Sequence, residues 1–153
     1  MDRILVKNIT ILSLILGLAL GILAPIPFIG MIMLFILLLG SAPLVMVYLI
    51  MDGKLELTTT KDSILTGALT GFMANITFSI AYCVVMVILS KGFHYTPNFF
   101  LTAMIENSPV WLLGTFIIFL GVLCATTNAF AGFGTYYIIN LIRDIYENKH
   151  KNN

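Results

Sequence analysis

The side chains that could do chemistry in this chain are few and scattered. They are Cys83 and Cys124, His94 and His150, the carboxylates Asp62 and Glu106, and the amides Asn75 and Asn128. A thiol redox centre needs two cysteines that meet in an activating environment. Cys83 and Cys124 stand singly in apolar runs, where a thiol is a small packing group. A metal site needs several convergent ligands, and each histidine stands alone. Asp62 ends Thr59-Thr60-Lys61-Asp62, the spacing of a capping box, and reads as helix punctuation. Glu106 reads as the end of a short helix in water. No nucleophile and base share a spacing that would pair them. The chain is therefore not expected to be an enzyme, and no catalytic, metal or cofactor-binding residue is assigned.

The amides are the more informative groups. Asn75, Thr126, Thr127 and Asn128 fall inside long uncharged stretches and form a candidate intramembrane polar cluster. Asn75-Ile76-Thr77 matches a glycosylation acceptor, but its place inside a span makes that match noise. An amide in hydrocarbon needs a partner. The simpler reading is hydrogen bonding between helices, worth about 0.6 kcal/mol on average. The sharper reading is a polar wall along a pathway for a small solute or ion. No intramembrane charge accompanies the amides, and the simpler reading is preferred. Depth along the helices places Asn75 and Asn128 at similar levels on antiparallel neighbours, facing the bundle interior.

The elements that must position these groups follow from composition. Of 153 residues, 59% are hydrophobic and 10% charged, with a net charge of +1. Globular domains carry about 25% charged residues. Fifteen charges cannot clothe a water-soluble protein of this size. A soluble enzyme, a disordered chain and a nucleic-acid binder are excluded, since no basic footprint exists. The partner implied is the lipid bilayer. Asp, Glu, Lys and Arg are absent from 8–51, 63–90, 92–105 and 107–142. A span needs about 20 apolar residues. The first run is too long for one span and breaks at Ala24-Pro25-Ile26-Pro27, where two prolines stop one helix and start another. The expected spans are 4–24, 28–51, 61–89 and 109–142, with an interfacial helix over 97–106 and a polar cytoplasmic tail, 143–153. The fold class is an all-α membrane protein: a single domain, 1–153, with four transmembrane helices in an up-down-up-down bundle and a short interfacial helix between the third and fourth.

Positive charge sets the orientation. With four spans, seven of the eight Lys and Arg residues share one side: Arg3, Lys7, Lys54, Lys61, Arg143, Lys149 and Lys151. Lys91 is alone on the other. Both termini are expected to be cytoplasmic, in the cell (inner) membrane. Trp111, Phe93 and Tyr95 fall near the outer interface, and Tyr48, Tyr136 and Tyr137 near the inner one. The first span follows Arg3 and Lys7 as a signal peptide would. Ile22 and Ala24-Pro25 make a poor cleavage site, so it is expected to stay.

Local signals mark helix ends: Thr59 as an N-cap, Ser108-Pro109 as N-cap and N1 of the fourth span, and Asp52-Gly53 as the end of the second. Small residues mark helix faces. Ser63, Gly67, Gly71, Asn75, Ser79 and Cys83 recur at every fourth residue of the third span. Ser13, Gly17 and Gly21 do so in the first span, and Gly121, Ala125, Ala129 and Gly132 lie along the fourth. Small side chains let membrane helices approach closely. Packing within the bundle is the plain reading, and a dimer face the alternative. Gly40-Ser41-Ala42-Pro43 marks a kink in the second span.

Gly17-Leu-Ala-Leu-Gly21 running to Pro25-Ile-Pro27, a glycine-bearing second span, and Leu57 through Gly67-Ala-Leu-Thr-Gly71 resemble small bacterial and archaeal four-helix membrane proteins of unknown function. The likeness covers about residues 12–75. That family usually has glycine directly after the loop acid, where this chain has Ser63 after Asp62. The resemblance implies a four-helix membrane fold and no activity. The expected role is a structural or accessory subunit packing against itself (a homo-oligomer) or a larger membrane complex. The alternative is a small oligomeric transporter or channel with Asn75, Thr126, Thr127 and Asn128 on its pathway.

Overall fold

The computed structural model describes residues 3–53 and 59–151, with the backbone alone described at 147, 148, 150 and 151. Lys54 of the charge pattern, Leu57 of the family likeness and the last two residues of the tail lie outside the described residues. The elements are α1 (Arg3–Leu23), α2 (Ile29–Phe35), a π turn (Ile36–Gly40), α3 (Ser41–Met51), α4 (Thr60–Phe93), α5 (Phe99–Asn107) and α6 (Val110–Lys151). Among the described residues, four helical stretches are long and apolar enough to cross a membrane: Arg3–Leu23, Ile29–Met51, Thr60–Phe93 and Val110–Tyr146. The chain is an all-α, four-span membrane bundle.

The breaks have local causes. Pro25 and Pro27 lack the N–H a helix would require, and α1 ends two residues before them. Ile29 N–H bonds to Pro27 O at 2.8 Å, which closes a three-residue turn around Phe28 at φ 66°. This left-handed conformation is strained for a bulky side chain. Gly53, at φ 66°, ends α3 as expected. Thr59 caps α4: its Oγ1 accepts from Asp62 N–H at 3.2 Å and donates to Asp62 Oδ2 at 2.8 Å. Asp62 thus takes the hydroxyl rather than the backbone of Thr59.

Four boundaries depart from the sequence expectation. α4 runs on to Phe93 and carries Lys91 in its last turn. The interfacial helix is Phe99–Asn107, with Asn98 Oδ1 accepting from Leu101 N–H at 3.1 Å. Pro109, not Ser108, precedes α6 in the N-cap place, since its carbonyl accepts from Leu113 N–H at 3.3 Å. The tail is no separate coil. α6 continues to Lys151, and Arg143, Asp144 and Lys149 are exposed on its last turns.

Packing is organised around α4. α1 and α6 flank it, and α3 lies against all three. α1 and α4 run parallel: a Cβ on Gly17 would meet Ala74 O and Thr77 Oγ1, and one on Gly21 would lie 2.5 Å from Phe78 O. α4 and α6 run antiparallel. Gly67 abuts Asn128 O, Gly71 abuts Cys124 O, and a Cβ on Gly132 would lie 2.6 Å from Ser63 O. Ser13, Gly17 and Gly21 are buried on α1, and Ser63, Gly67, Gly71, Asn75 and Ser79 are buried on α4. On α6 the buried face is Gly121, Cys124, Asn128, Gly132 and Thr135, while Ala125 and Ala129 are only half-buried. The expected spacing of four holds on α4 but drifts off the contact on α6, where the buried face advances by steps of three and four.

Candidate functional site

The second span positions the first site. Pro43 in its interior offers no N–H to the preceding turn, and the helix widens to a π turn just before it. In a continuous α-helix Ala42 N–H would bond to Leu38 O. Here Ala42 N–H donates to Asn128 Oδ1 at 2.8 Å, and Asn128 Nδ2 donates to Leu38 O at 3.1 Å and Leu37 O at 2.9 Å. The amide of α6 is inserted into the hydrogen-bond ladder of the second span. Asn128 Nδ2 also reaches Cys124 O at 3.0 Å, and Ser41 Oγ adds a bond to Leu37 O at 3.1 Å. Asn128 is fully buried. A π turn closed this way is a recognised cause of helix bending.

Asn75 does a related task between α4 and α6. Its Nδ2 donates to Ile117 O at 3.1 Å, and its Oδ1 receives the Cys124 thiol at 3.5 Å. Cys124 is therefore more than apolar filling. Both amides face the interior, but not at one depth. The Asn128 side chain lies against Gly71, four residues from Asn75 on α4, and both amides bond to Cys124. The two amides are thus about one turn, or roughly 5 Å, apart along the helix pair.

The expected polar cluster does not assemble. Thr126 is exposed on the outward face of α6, its hydroxyl bonded to Val122 O at 2.9 Å. Thr127 is half-buried and bonds back to Leu123 O and Cys124 O. A run of three polar residues on a helix spreads over about 200° of its circumference, so Thr126, Thr127 and Asn128 cannot share one wall.

A second site lies at the opposite end from the termini. A crevice of about 440 Å³ opens beneath α5. The Pro25–Pro27 turn and Met31 form one side, Phe78, Ser79 and Tyr82 the back, and Leu101 and Met104 the roof. Phe116, Ile117 and Leu120 of α6 close it. Ser90 Oγ donates to Glu106 Oε1 at 2.8 Å and ties α5 to the end of α4. Glu106 thus has a bonding partner besides water. Phe78 and Tyr82 stack in the crevice wall, 6.0 Å apart and 8° from parallel. Sequence reasoning placed Ser79 on a packing face and passed over Tyr82. The available signal was Ser79, Tyr82 and Cys83 at i, i+3 and i+4, one polar patch on an otherwise apolar helix face.

Compared with protein-family models, with characterised proteins and with solved structures, the chain finds no match.

Proposed function

We propose that the protein is a structural or accessory membrane subunit that associates with a second copy of itself through the outward face of α6. It resides in the cell (inner) membrane with both termini cytoplasmic, it has no catalytic activity, and it is akin to the small four-helix membrane proteins it resembles. The observation carrying this reading is the coverage of the spans. Only 11% of the apolar window of α6 is buried within the chain, against 28–33% for the other three. The uncovered face repeats at steps of three and four: Leu112, Phe116, Phe119, Leu123, Thr126, Phe130 and Phe133. That repeat lets one helix track another along its length, and a two-fold axis brings the same face onto itself. Asn75 and Asn128 fit a scaffold role, since backbone groups of the bundle and the Cys124 thiol already occupy their amides.

Oxidative crosslinking of Phe119→Cys or Thr126→Cys in a cysteine-free background tests the reading, with Ile80→Cys on the exposed face of α4 as control. Dimers are expected from the α6 positions and not from the control. Monomers from every position, with a single-copy mass in nanodiscs, would overturn self-association; co-purification of another membrane protein would then point to a larger complex. Solute or ion flux in liposomes that responds to Asn75→Gln or Asn128→Gln would overturn the scaffold role in favour of a pathway.

A further inference from the structure

We infer that the crevice beneath α5 is a binding site for a neutral, membrane-dissolved lipid with a flat, carbonyl-bearing head, the chemistry of a prenylquinone.

Three observations carry it. First, the cavity is built to ligand size: 440 Å³ lies within the range of about 300–1,000 Å³ typical of small-molecule sites. It is open rather than enclosed and lies between apolar spans and the short helix α5, which would give a bilayer-dissolved molecule a way in.

Second, Ser79 has no hydrogen-bond partner among the described residues, although it is only 8% exposed and lines the crevice. The habit elsewhere in the spans is different. Thr10, Ser13, Ser41, Thr77, Thr115 and Thr135 each bond back to the carbonyl four residues earlier. Ser63 and Thr70 are also without partners, but their oxygens are sealed from solvent. Ser79 opens onto the cavity. A buried hydroxyl without a partner costs free energy that a ligand acceptor would recover. Tyr82, one turn on, adds a second hydroxyl on the same wall.

Third, none of the lining residues is charged. A carboxylate brought in from a fatty acid would meet no counter-charge in a medium where unpaired charge is costly. A neutral carbonyl has no such requirement. Tyr82 and Phe116, both lining the crevice and both partly exposed, supply aromatic surface for a planar head, and the head would stack there with its oxygen toward Ser79. The tail would leave between Met31 and Met104, whose flexible side chains adapt to an irregular chain.

Phe116 also belongs to the α6 face proposed for association, but no other crevice residue does, so the two readings fail separately. Its test uses the full chain in nanodiscs with a photoactivatable short-tailed prenylquinone, and with a fatty acid and a plain hydrocarbon bearing the same photoreactive group. Saturable labelling of crevice residues by the quinone is expected, competed by unlabelled quinone and abolished by Leu101→Trp, which fills the crevice. Ser79→Ala should weaken quinone binding roughly five- to tenfold, the effect of one lost hydrogen bond, and leave hydrocarbon labelling unchanged. Thermal melts of both variants report whether the fold survives. If Leu101→Trp fails to fold, Ser79→Ala alone decides. Equal labelling by the hydrocarbon would mean that the crevice takes any acyl chain and would overturn the inference. So would stronger labelling by the fatty acid, no saturable labelling, or an unchanged quinone affinity in a folded Ser79→Ala variant.

Discussion

Replacing Asn128 with Leu would withdraw an acceptor from Ala42 N–H and a donor from Leu37 O and Leu38 O in one step. Those backbone groups would remain buried. Leaving such groups unpaired costs about 1–3 kcal/mol, more than the average side-chain bond between membrane helices. Asn75→Leu strands only one carbonyl and a thiol, and Ile117 O retains its place in a helix. Asn128→Leu is therefore expected to destabilise the protein by about 2 kcal/mol and Asn75→Leu by about half as much. Unfolding titrations in mixed micelles would measure both, and equal effects would contradict the inserted-amide geometry. Pro43 supplies a second check. Pro43→Ala returns a donor to the second span and lets the π turn relax to an α-helix. In a double-mutant cycle it should recover about 1 kcal/mol of the Asn128→Leu loss; strict additivity would show that Pro43 and Asn128 act separately.

At the scale of elements, the glycines divide by what they touch. Cβ atoms on Gly67 and Gly71 would run into backbone carbonyls of α6, whereas Gly114 and Gly134 have open space. Gly71→Leu is expected to cost about 1–3 kcal/mol by overpacking. Gly134→Ala should be neutral or stabilise by up to about 1 kcal/mol, the usual helix preference for alanine. Melting temperatures in detergent would separate the two; similar shifts would mean that α4 is rotated away from α6. The spacing of four on α4 marked a face suited to close helix contact in the sequence, but the partner it meets, the backbone of α6 at Gly67 and Gly71, came only from the structure. The matching face of α6 was less legible. Ala125 and Ala129 fit a strict spacing of four, but the contact moves to Cys124 and Asn128, and the phase depends on how two helices cross. The π turn was half-legible. Gly40 to Pro43 signals a bend, but its form is set by Asn128, which no local pattern connects to Pro43.

For the whole molecule, the count of four spans and the break at Pro25–Pro27 were readable from charge-free length, since bilayer thickness converts directly into residues. The crevice was not. It is made where the Pro25–Pro27 turn, α5 and the far halves of α4 and α6 meet, and each contributes ordinary apolar residues. Orientation is open to a direct test. With the native cysteines replaced, His94→Cys should react with an impermeant thiol reagent from outside the cell and Lys61→Cys only after permeabilisation. The reverse pattern would invert the topology and the reading of the positive charges with it.

The amide inserted in the second span also sets an order of events during synthesis. Ala42 and Asn128 are 86 residues apart. At about 5–20 residues per second, Pro43 enters the membrane several seconds before its completing side chain exists. Through that interval the second span carries incomplete backbone bonding in an environment that penalises it. The early helices are therefore provisional, held by their own wider turn or by whatever machinery shelters them. The arrival of α6 converts them to their final shape. A chain arrested before residue 128 should consequently be open to membrane proteases that the 153-residue chain resists.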